Sequence, residues 1–574
     1  MHTVIRINTR SGEITSSKAP EKYRTHGMRG LVDRFLKDEV DPKCDPLGKD
    51  NKLLICTGTF AGTAFPVANR VSVGGKSPLT GTIKESSAGG MIGPAMIGHG
   101  IKMIVFEDVP GDAADWKYLY LDKDGGCSLI SADEYMGLGA YAVCEKMRER
   151  YGGGAAVMCI GPAGEMLYRS ASVMVSELET GFPCRAAARG GLGALMGSKK
   201  IKAVVAEKAD SPTVFEYADK SRFDLARKKF GKICKEAPSV QGMHTIGSTV
   251  MLDVTVPCGF VPHRNFSGAP LTEEQKTYFT SKNWLDAGTK AGGKNGRACQ
   301  SGCTVMCSNL YHDDKGDFIT AGFEYESLAM LGSNLGIFDF YQTARFDFLC
   351  DDIGVDCIET GCSMGVCMEG GKIAWGDAAG VEALFDEMRR GTQFGRLIGQ
   401  GTEALGKALE VQRIPVVKHQ GIAAYDPRGL KGNGITYAVS TQGADHTFGM
   451  VVDPNALDED LPGMVIHSQI RTALANDFVC QFVSRLVETD PDILPDLYAG
   501  AFGGDWSMEK CRELAVESLR IERIFNEGAG FTAADDRLPE FFSEPGYEGG
   551  PAFDFTDEVV QKHMNEIYAY KETD

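Results

Sequence analysis

The sequence predicts an α+β protein, with a strand-rich N-terminal cofactor-binding base domain and two mainly helical domains. Three observations carry this. Residues 1–209 alternate short extended runs with turn residues, residues 210–412 place apolar residues three and four apart, and residues 413–574 open glycine-rich and then turn helical. A chain of 574 residues also exceeds one compact core.

In the first region TVIRINTRSGEI reads as two extended runs about a Ser11-Gly12 turn, and KMIVFED as a strand. WKYLYLDKDGGCSLI reads as a hairpin closing on Lys123-Asp124-Gly125-Gly126. Ser131 is the expected cap of a helix over SADEYMGLGAYAVCEKMRERYG. AAVMCIG and KAVVAEK are further strands, and Asp210-Ser211-Pro212 breaks the pattern. Beyond it, EYADKSRFDLARKKFGKICKE, GVEALFDEMRRGTQFGRLIGQGTEALGKALEVQ and SMEKCRELAVESLRIERIFNEG are amphipathic helical runs.

With 60 Lys+Arg against 78 Asp+Glu the formal charge is −18, which argues against nucleic acid as the main partner. Apolar residues at 43% and charged residues at 24% are ordinary for an ordered globular chain. No stretch approaches the roughly 20 apolar residues of a membrane span. MHTVIRINTRSGEITSSKAP lacks a secretory apolar core. A soluble, cytoplasmic protein is expected. The 70 glycines are in excess, as for a large ligand approached closely by backbone, and 17 cysteines are too sparse for a disulfide scaffold.

The sharpest local signal is RACQSGCTVMC, with Cys299, Cys303 and Cys307 within nine residues. Three such thiols suit an iron–sulfur cluster whose fourth ligand comes from far along the chain. Zinc, and three core cysteines on one helical face at i, i+4 and i+8, are the competing readings. The thiols from Cys350 to Cys367 match no cluster spacing and are read as core. Next come the glycine runs KSPLTGTIKESSAGGMIGPAMIGHG and CRAAARGGLGALMGSKK. Backbone amides freed by glycine form anion-binding nests, and Arg185 and Arg189 can grip phosphate. Neither run fits GxxxxGK[ST] or GxGxxG.

On these segments the chain resembles the aldehyde:ferredoxin oxidoreductase family of tungsten enzymes. NKLLICTGTFAGT, NRVSVGGKSPLTGTIKESSAGG, IGPAGE, RAAARGGLGALMGSKKIKAVV, FEYESLAMLGSNLGI, CDDIGVD and AYDPRGLKGNGITYA lie in the family's order, with a weakened DxxGxC element at ANDFVC. The resemblance implies two pyranopterins holding one tungsten (a tungstopterin) beside a 4Fe–4S cluster, with Mg2+ bridging the pterin phosphates. By it Cys299, Cys303, Cys307 and Cys480 ligate the cluster. Arg70 lies between cluster and pterin, and Ser87 lies near the phosphates where asparagine is frequent. Gly89, Arg185, Ala186, Ala188, Arg189 and Val479 fall on pterin-contacting positions. Asp351, Val355 and Asp356 match the element that hydrogen-bonds a pterin ring, whose N–H edge suits carboxylates.

Glu326 and His446 match positions lining the family's substrate pocket, where one can move a proton and the other polarise an aldehyde oxygen. Glu324 is the rival carboxylate. The chain departs from the family at several points: the first cysteine gap has three residues rather than two, and Ala475 and Phe478 replace the Asp and Gly of DxxGxC. Gln442 and Phe448 replace cations flanking His446. Arg345 replaces a glutamate found in members with an intersubunit iron, so no such iron is expected.

The resemblance thus implies oxidation of an aldehyde, with electrons passing through the cluster to ferredoxin or a small polyferredoxin subunit. The alternative is a tungsten subunit of a complex that reduces an aromatic or acyl substrate. A zinc- or cluster-binding structural protein is the non-enzymatic reading. Oligomeric state stays open.

Overall fold

The computed structural model describes residues 2–453, 456–560 and 562. Its N-terminal part is two six-stranded sheets. The first comprises β1 (Thr3–Asn8), β2 (Ile14–Lys18), β3 (Leu53–Thr57), β4 (Val71–Lys76), β5 (Ile83–Ala88) and β6 (Ile101–Glu107), in the order β2-β1-β6-β3-β4-β5. The second comprises β7 (Lys117–Leu121), β8 (Cys127–Ser131), β9 (Ala156–Cys159), β10 (Val173–Val175), β11 (Arg185–Ala187) and β12 (Ile201–Ala206), in the order β11-β10-β9-β12-β7-β8. Alternation explains the layering. Ile5, Ile7, Ile55, Val73, Ile104 and Phe106 of the first sheet share one core with Leu119, Met158, Val173, Val175 and Val204 of the second. The intervening residues Val4, Leu54, Cys56, Met103 and Val105 turn outward against Val32, Phe35 and Leu36 of the helix Met28–Glu39.

Both expected hairpins are present, as β1–β2 and β7–β8. The helix expected from Ser131 begins instead at Ala140, with Gly139 before it. Ser131 closes β8 opposite Lys117, and its hydroxyl accepts from Asp133 N (3.3 Å) at a separate 3₁₀ turn, Asp133–Tyr135, well before the helix.

Beyond residue 219 the chain is mostly helical, as the spacing predicts. Lys220–Glu236 is capped by Asp219, and Met508–Ala529 by Ser507. A three-stranded sheet interrupts this region: β13 (Lys294–Arg297), β14 (Ser308–His312) and β15 (Phe318–Ala321). The long C-terminal helix returns to the base, where Phe525 joins the core over Met28–Glu39.

Candidate active site

Sheet register brings the first two candidates together. β4 and β5 pair Val71 with Ala88, which sets Arg70 beside the end of β5. Arg70 Nη2 donates to Ser87 Oγ (3.1 Å) and Ser87 O (3.2 Å). A Cβ on Gly89 would stand 2.9 Å from Cys299 Sγ and 3.5 Å from Arg70 Nη1. Only glycine lets the strand end approach that thiol so closely.

Cys299, Cys303 and Cys307 lie in irregular chain between β13 and β14, so they are not stacked on a helix. A hydrogen bond between Cys299 and Cys303 pushes Cys299 up and pulls Cys303 below the ordinary thiol value, against burial. Cys480 follows the helix Leu461–Ala475 and lies in the electrostatic reach of Cys299, Cys303 and Cys307, with Arg70 close by. Among the described residues no three His, Cys, Asp or Glu side chains close on a single ion.

The β14–β15 hairpin carries the link from thiols to pocket. Cys307 precedes β14 and Glu324 follows β15, so Cys307 Sγ stands 4.0 Å from Glu324 Oε1. Glu324 also accepts from Arg185 Nη1 (3.2 Å) and from Ser248 Oγ. Arg185 Nη2 donates to Ser308 Oγ (3.1 Å), which bonds Glu177. Glu324, the rival carboxylate, is thus engaged in this network.

Glu326, two residues on, opens the helix Tyr325–Met330. Its Oε2 accepts from Ala424 N (2.9 Å) and its Oε1 lies 3.5 Å from His446 Nε2. Glu326 Oε1 and His446 Nδ1 are buried and accept or donate no hydrogen bond. His446 is set by its neighbour: Lys84 Nζ donates to Asp445 Oδ2 (2.7 Å) and to Gln442 O (3.2 Å). Burial raises the Asp445 pKa, but Lys84 and then Arg189 outweigh it and hold that carboxyl far below the usual range.

Arg189 spends three of its five N–H groups on protein. It donates to Asp356 Oδ2 (3.0 Å), Gly421 O (2.5 Å) and Ala444 O. Asp356 also caps the helix Cys357–Glu369 through Ile358 N (2.9 Å). Val355 is buried and bridges Ala171. Asp351, near the end of the helix Phe340–Ile353, is pushed well up by burial and by Asp347, which itself rises to about 7. Burial and their mutual repulsion thus push both carboxyls upward. Ala187 packs into the core, while Ala186 and Ala188, alternate along the chain, stay partly exposed on the other face. Val479 is in the core, leaving only its backbone for a ligand.

The departures have local causes. Ala475 is buried with Leu474 and Phe478, and Phe478 packs 5.3 Å from Phe60 between ring centroids. The adjacent Asp477 does not replace the missing carboxylate: it accepts from Gly30 N (2.7 Å), at the start of Met28–Glu39. Gln442 Nε2 donates to Glu522 (2.9 Å), which is also paired with Arg29 (2.8 Å). Arg29 lies 4.6 Å over the Phe448 ring. Lys84 and Arg29, the cations beside these positions, are each held in a buried ion pair, with Asp445 and Glu522. Arg345 is half exposed and paired with Glu382 (3.4 Å).

Six buried polar atoms around this region have no hydrogen-bond partner: Glu326 Oε1, His446 Nδ1, Tyr437 Oη, Arg185 Nε, Gln300 Oε1 and Gln420 Oε1. Each such atom costs about 1–3 kcal/mol unless something bonds it. So many in one region, beside a glycine strand end, fit a large polar ligand of mixed donors and acceptors. Lys84, Gln300, Gln420 and Tyr437 were missed in the sequence; Lys84, Gln300 and Tyr437 lie inside recognised segments, whereas Gln420 carries no local signal.

Family profiles described as aldehyde ferredoxin oxidoreductase match this chain, the N-terminal domain over residues 4–208 and domains 2 and 3 over residues 225–574. The chain belongs to the aldehyde ferredoxin oxidoreductase family. It is 30% identical to the tungsten-containing aldehyde ferredoxin oxidoreductase of Pyrococcus furiosus, over 95% of this chain and 92% of that protein. To the WOR-like subunit of an aliphatic sulfonate oxidoreductase of the same organism it is 28% identical, over 74% of this chain and 70% of the other. In fold it resembles the active-site complex BamBC of benzoyl coenzyme A reductase with 1,5-dienoyl-CoA, at TM-score 0.80 and 16% identity, covering 99% of this chain and 93% of that one. As a family member the chain is an oxidoreductase of the tungsten-containing class. No helix among the described residues is long and apolar enough to cross a membrane.

Proposed function

We propose that the protein oxidises aldehydes, RCHO + H2O → RCOOH + 2e− + 2H+, using a tungsten bis-pyranopterin and a 4Fe–4S cluster. The observation that carries this reading is the Glu326–His446 pair, 3.5 Å apart, with a bare oxygen and a bare ring nitrogen in a buried site. Bound there, such a cofactor supplies oxo transfer and two-electron redox.

The chain's own residues orient substrate and move protons. Glu326 is fixed through Oε2 by Ala424 N, so Oε1 is the atom that takes a proton from water. His446 donates from its ring to the aldehyde oxygen and holds the second proton until solvent removes it. Arg70, Ser87, Gly89, Arg185, Ala186, Ala188, Arg189, Asp351, Val355, Asp356 and the backbone of Val479 would surround the pterins. Mg2+ would join the pterin phosphates near Ser87, whose Oγ accepts from Arg70. Cys299, Cys303, Cys307 and Cys480 would hold the cluster, and ferredoxin or a small iron–sulfur subunit in the cytoplasm would receive its electrons singly. In this reading residues 1–209 bind pterin, 210–412 bring three thiols and the Asp351–Asp356 element, and 413–574 bring His446 and Cys480.

An aldehyde panel with a viologen acceptor tests the reaction on anaerobically purified, metal-loaded protein. Turnover that needs both aldehyde and tungsten supports it. Loaded protein that ignores every aldehyde but reduces or re-oxidises an aromatic acyl thioester would favour the alternative chemistry.

A further inference from the structure

The surface over the thiols shows where electrons would leave, an inference that rests on the electron-transfer reading above. Cys480 precedes the 3₁₀ helix Gln481–Leu486 as its N-cap. Residues three apart eclipse on such a helix, so Phe482 and Arg485 share one face, and both are exposed, Phe482 at 36%. Leu178, 39% exposed, is tied by its amide to Cys299 O at 3.2 Å. Gly302 is exposed and Cys303 partly so. Two large apolar side chains therefore stand in water, each next in structure to a proposed cluster ligand.

The charge here opposes that of the whole chain. Arg485 Nη2 donates to Met450 O (3.2 Å), Arg471 Nη2 donates to Ser468 Oγ (3.3 Å), and Ser468 Oγ donates to the same Met450 carbonyl (3.1 Å). Arg485 thus bonds this carbonyl directly and Arg471 reaches it through Ser468, and burial followed by repulsion from Arg485 lowers Arg471. Among the described residues neither is in an ion pair, and the nearby acid Glu488 is taken by Arg512 (2.9 Å) and His467 (3.2 Å). Arg471 Nε has no hydrogen-bond partner. On a chain of net charge −18, an unneutralised arginine pair beside the Cys480 exit complements an anionic partner.

We propose that this face docks a small acidic iron–sulfur electron carrier, with Phe482 and Leu178 as apolar anchors and Arg471 and Arg485 as its charge partners. Each encounter moves one electron from the reduced cluster to the oxidised carrier. Two encounters balance one aldehyde oxidised.

The test uses metal-loaded full-length protein, wild type, Arg485→Glu and Phe482→Ala, with a soluble acidic two-cluster ferredoxin as probe. Binding is measured by titration calorimetry at low and high salt, and electron delivery is compared between ferredoxin and a small viologen. Arg485→Glu should raise Kd and the KM for ferredoxin roughly tenfold at low salt and flatten the salt dependence. Phe482→Ala should raise Kd in a salt-independent way. Viologen reduction should be unchanged in both. Wild-type ferredoxin affinity and salt dependence in Arg485→Glu would overturn the proposal. So would variants that alter only self-association, which would assign the face to a second copy, or only binding to anionic vesicles. If ferredoxin binding follows the expected pattern while no aldehyde is oxidised, the docking face stands and the aldehyde reading falls.

Discussion

Lys84→Met probes the support beneath His446. Lys84 is fully buried and donates to the nearly buried Asp445, next to His446 in the chain. Methionine keeps most of the length and removes the charge, leaving Asp445 ionised in a site that burial alone would neutralise. Breaking such a buried pair costs about 3–5 kcal/mol. Arg189 remains near, and Thr447 still donates to Asp445 Oδ1 through N (2.9 Å) and Oγ1 (2.7 Å), so the low end, about 3 kcal/mol, is expected. Asp445→Asn in the same chain removes the stranded charge, so the double variant should recover most of the loss. Denaturant midpoints of wild type, both single variants and the double variant give the coupling energy. Turnover should fall about a hundredfold in Lys84→Met, as for a catalytic group displaced by roughly 1 Å. Additive effects, with coupling below about 0.5 kcal/mol, would refute the claim that this pair holds the His446 loop.

Glu326→Gln keeps the bond from Ala424 N and removes proton uptake at Oε1, so turnover should drop about 10²–10⁴-fold with metal content unchanged; normal turnover would mean the pocket is misassigned. Cys480→Ser should lower bound iron and weaken the cluster's electron paramagnetic resonance signal, which full iron content would contradict. Burial pushes Asp477 to about 7, with Arg34 and the Gly30 amide opposing. The folded protein therefore retains that proton where the unfolded chain has lost it, so the stability it lends is present at low pH and is lost as pH rises from about 4 through about 7. Asp477→Asn should match wild type near pH 4 in denaturant midpoint and exceed it at pH 8, by up to about 4 kcal/mol. A pH-independent difference would show that Asp477 is ionised in the fold.

What the sequence made legible follows from local rules. Alternation and turn chemistry foretell β1–β2 and β7–β8, and apolar residues three and four apart foretell the helices Lys220–Glu236 and Met508–Ala529. Ser131 misleads because a hydroxyl before an acidic run resembles a cap, whereas its strand pairing with Lys117 is a non-local fact. β3 and β4 are buried runs in which alternation is hidden, Gly74 and Gly75 further obscuring the strand. At the site, recognised segments bring Glu326 to His446 and Arg70 to Gly89. The engagement of Glu324 by Arg185 and Ser248, and of Gln442 by Glu522, rests on contacts between segments distant in the chain. No spacing rule encodes those.

The most direct measurement is elemental analysis of the protein purified without oxygen from cells supplied with tungstate. About four irons and about one tungsten per chain are expected, since four thiols around one cluster and one doubly chelated metal must fill together. Zinc with neither iron nor tungsten would contradict the account at its root.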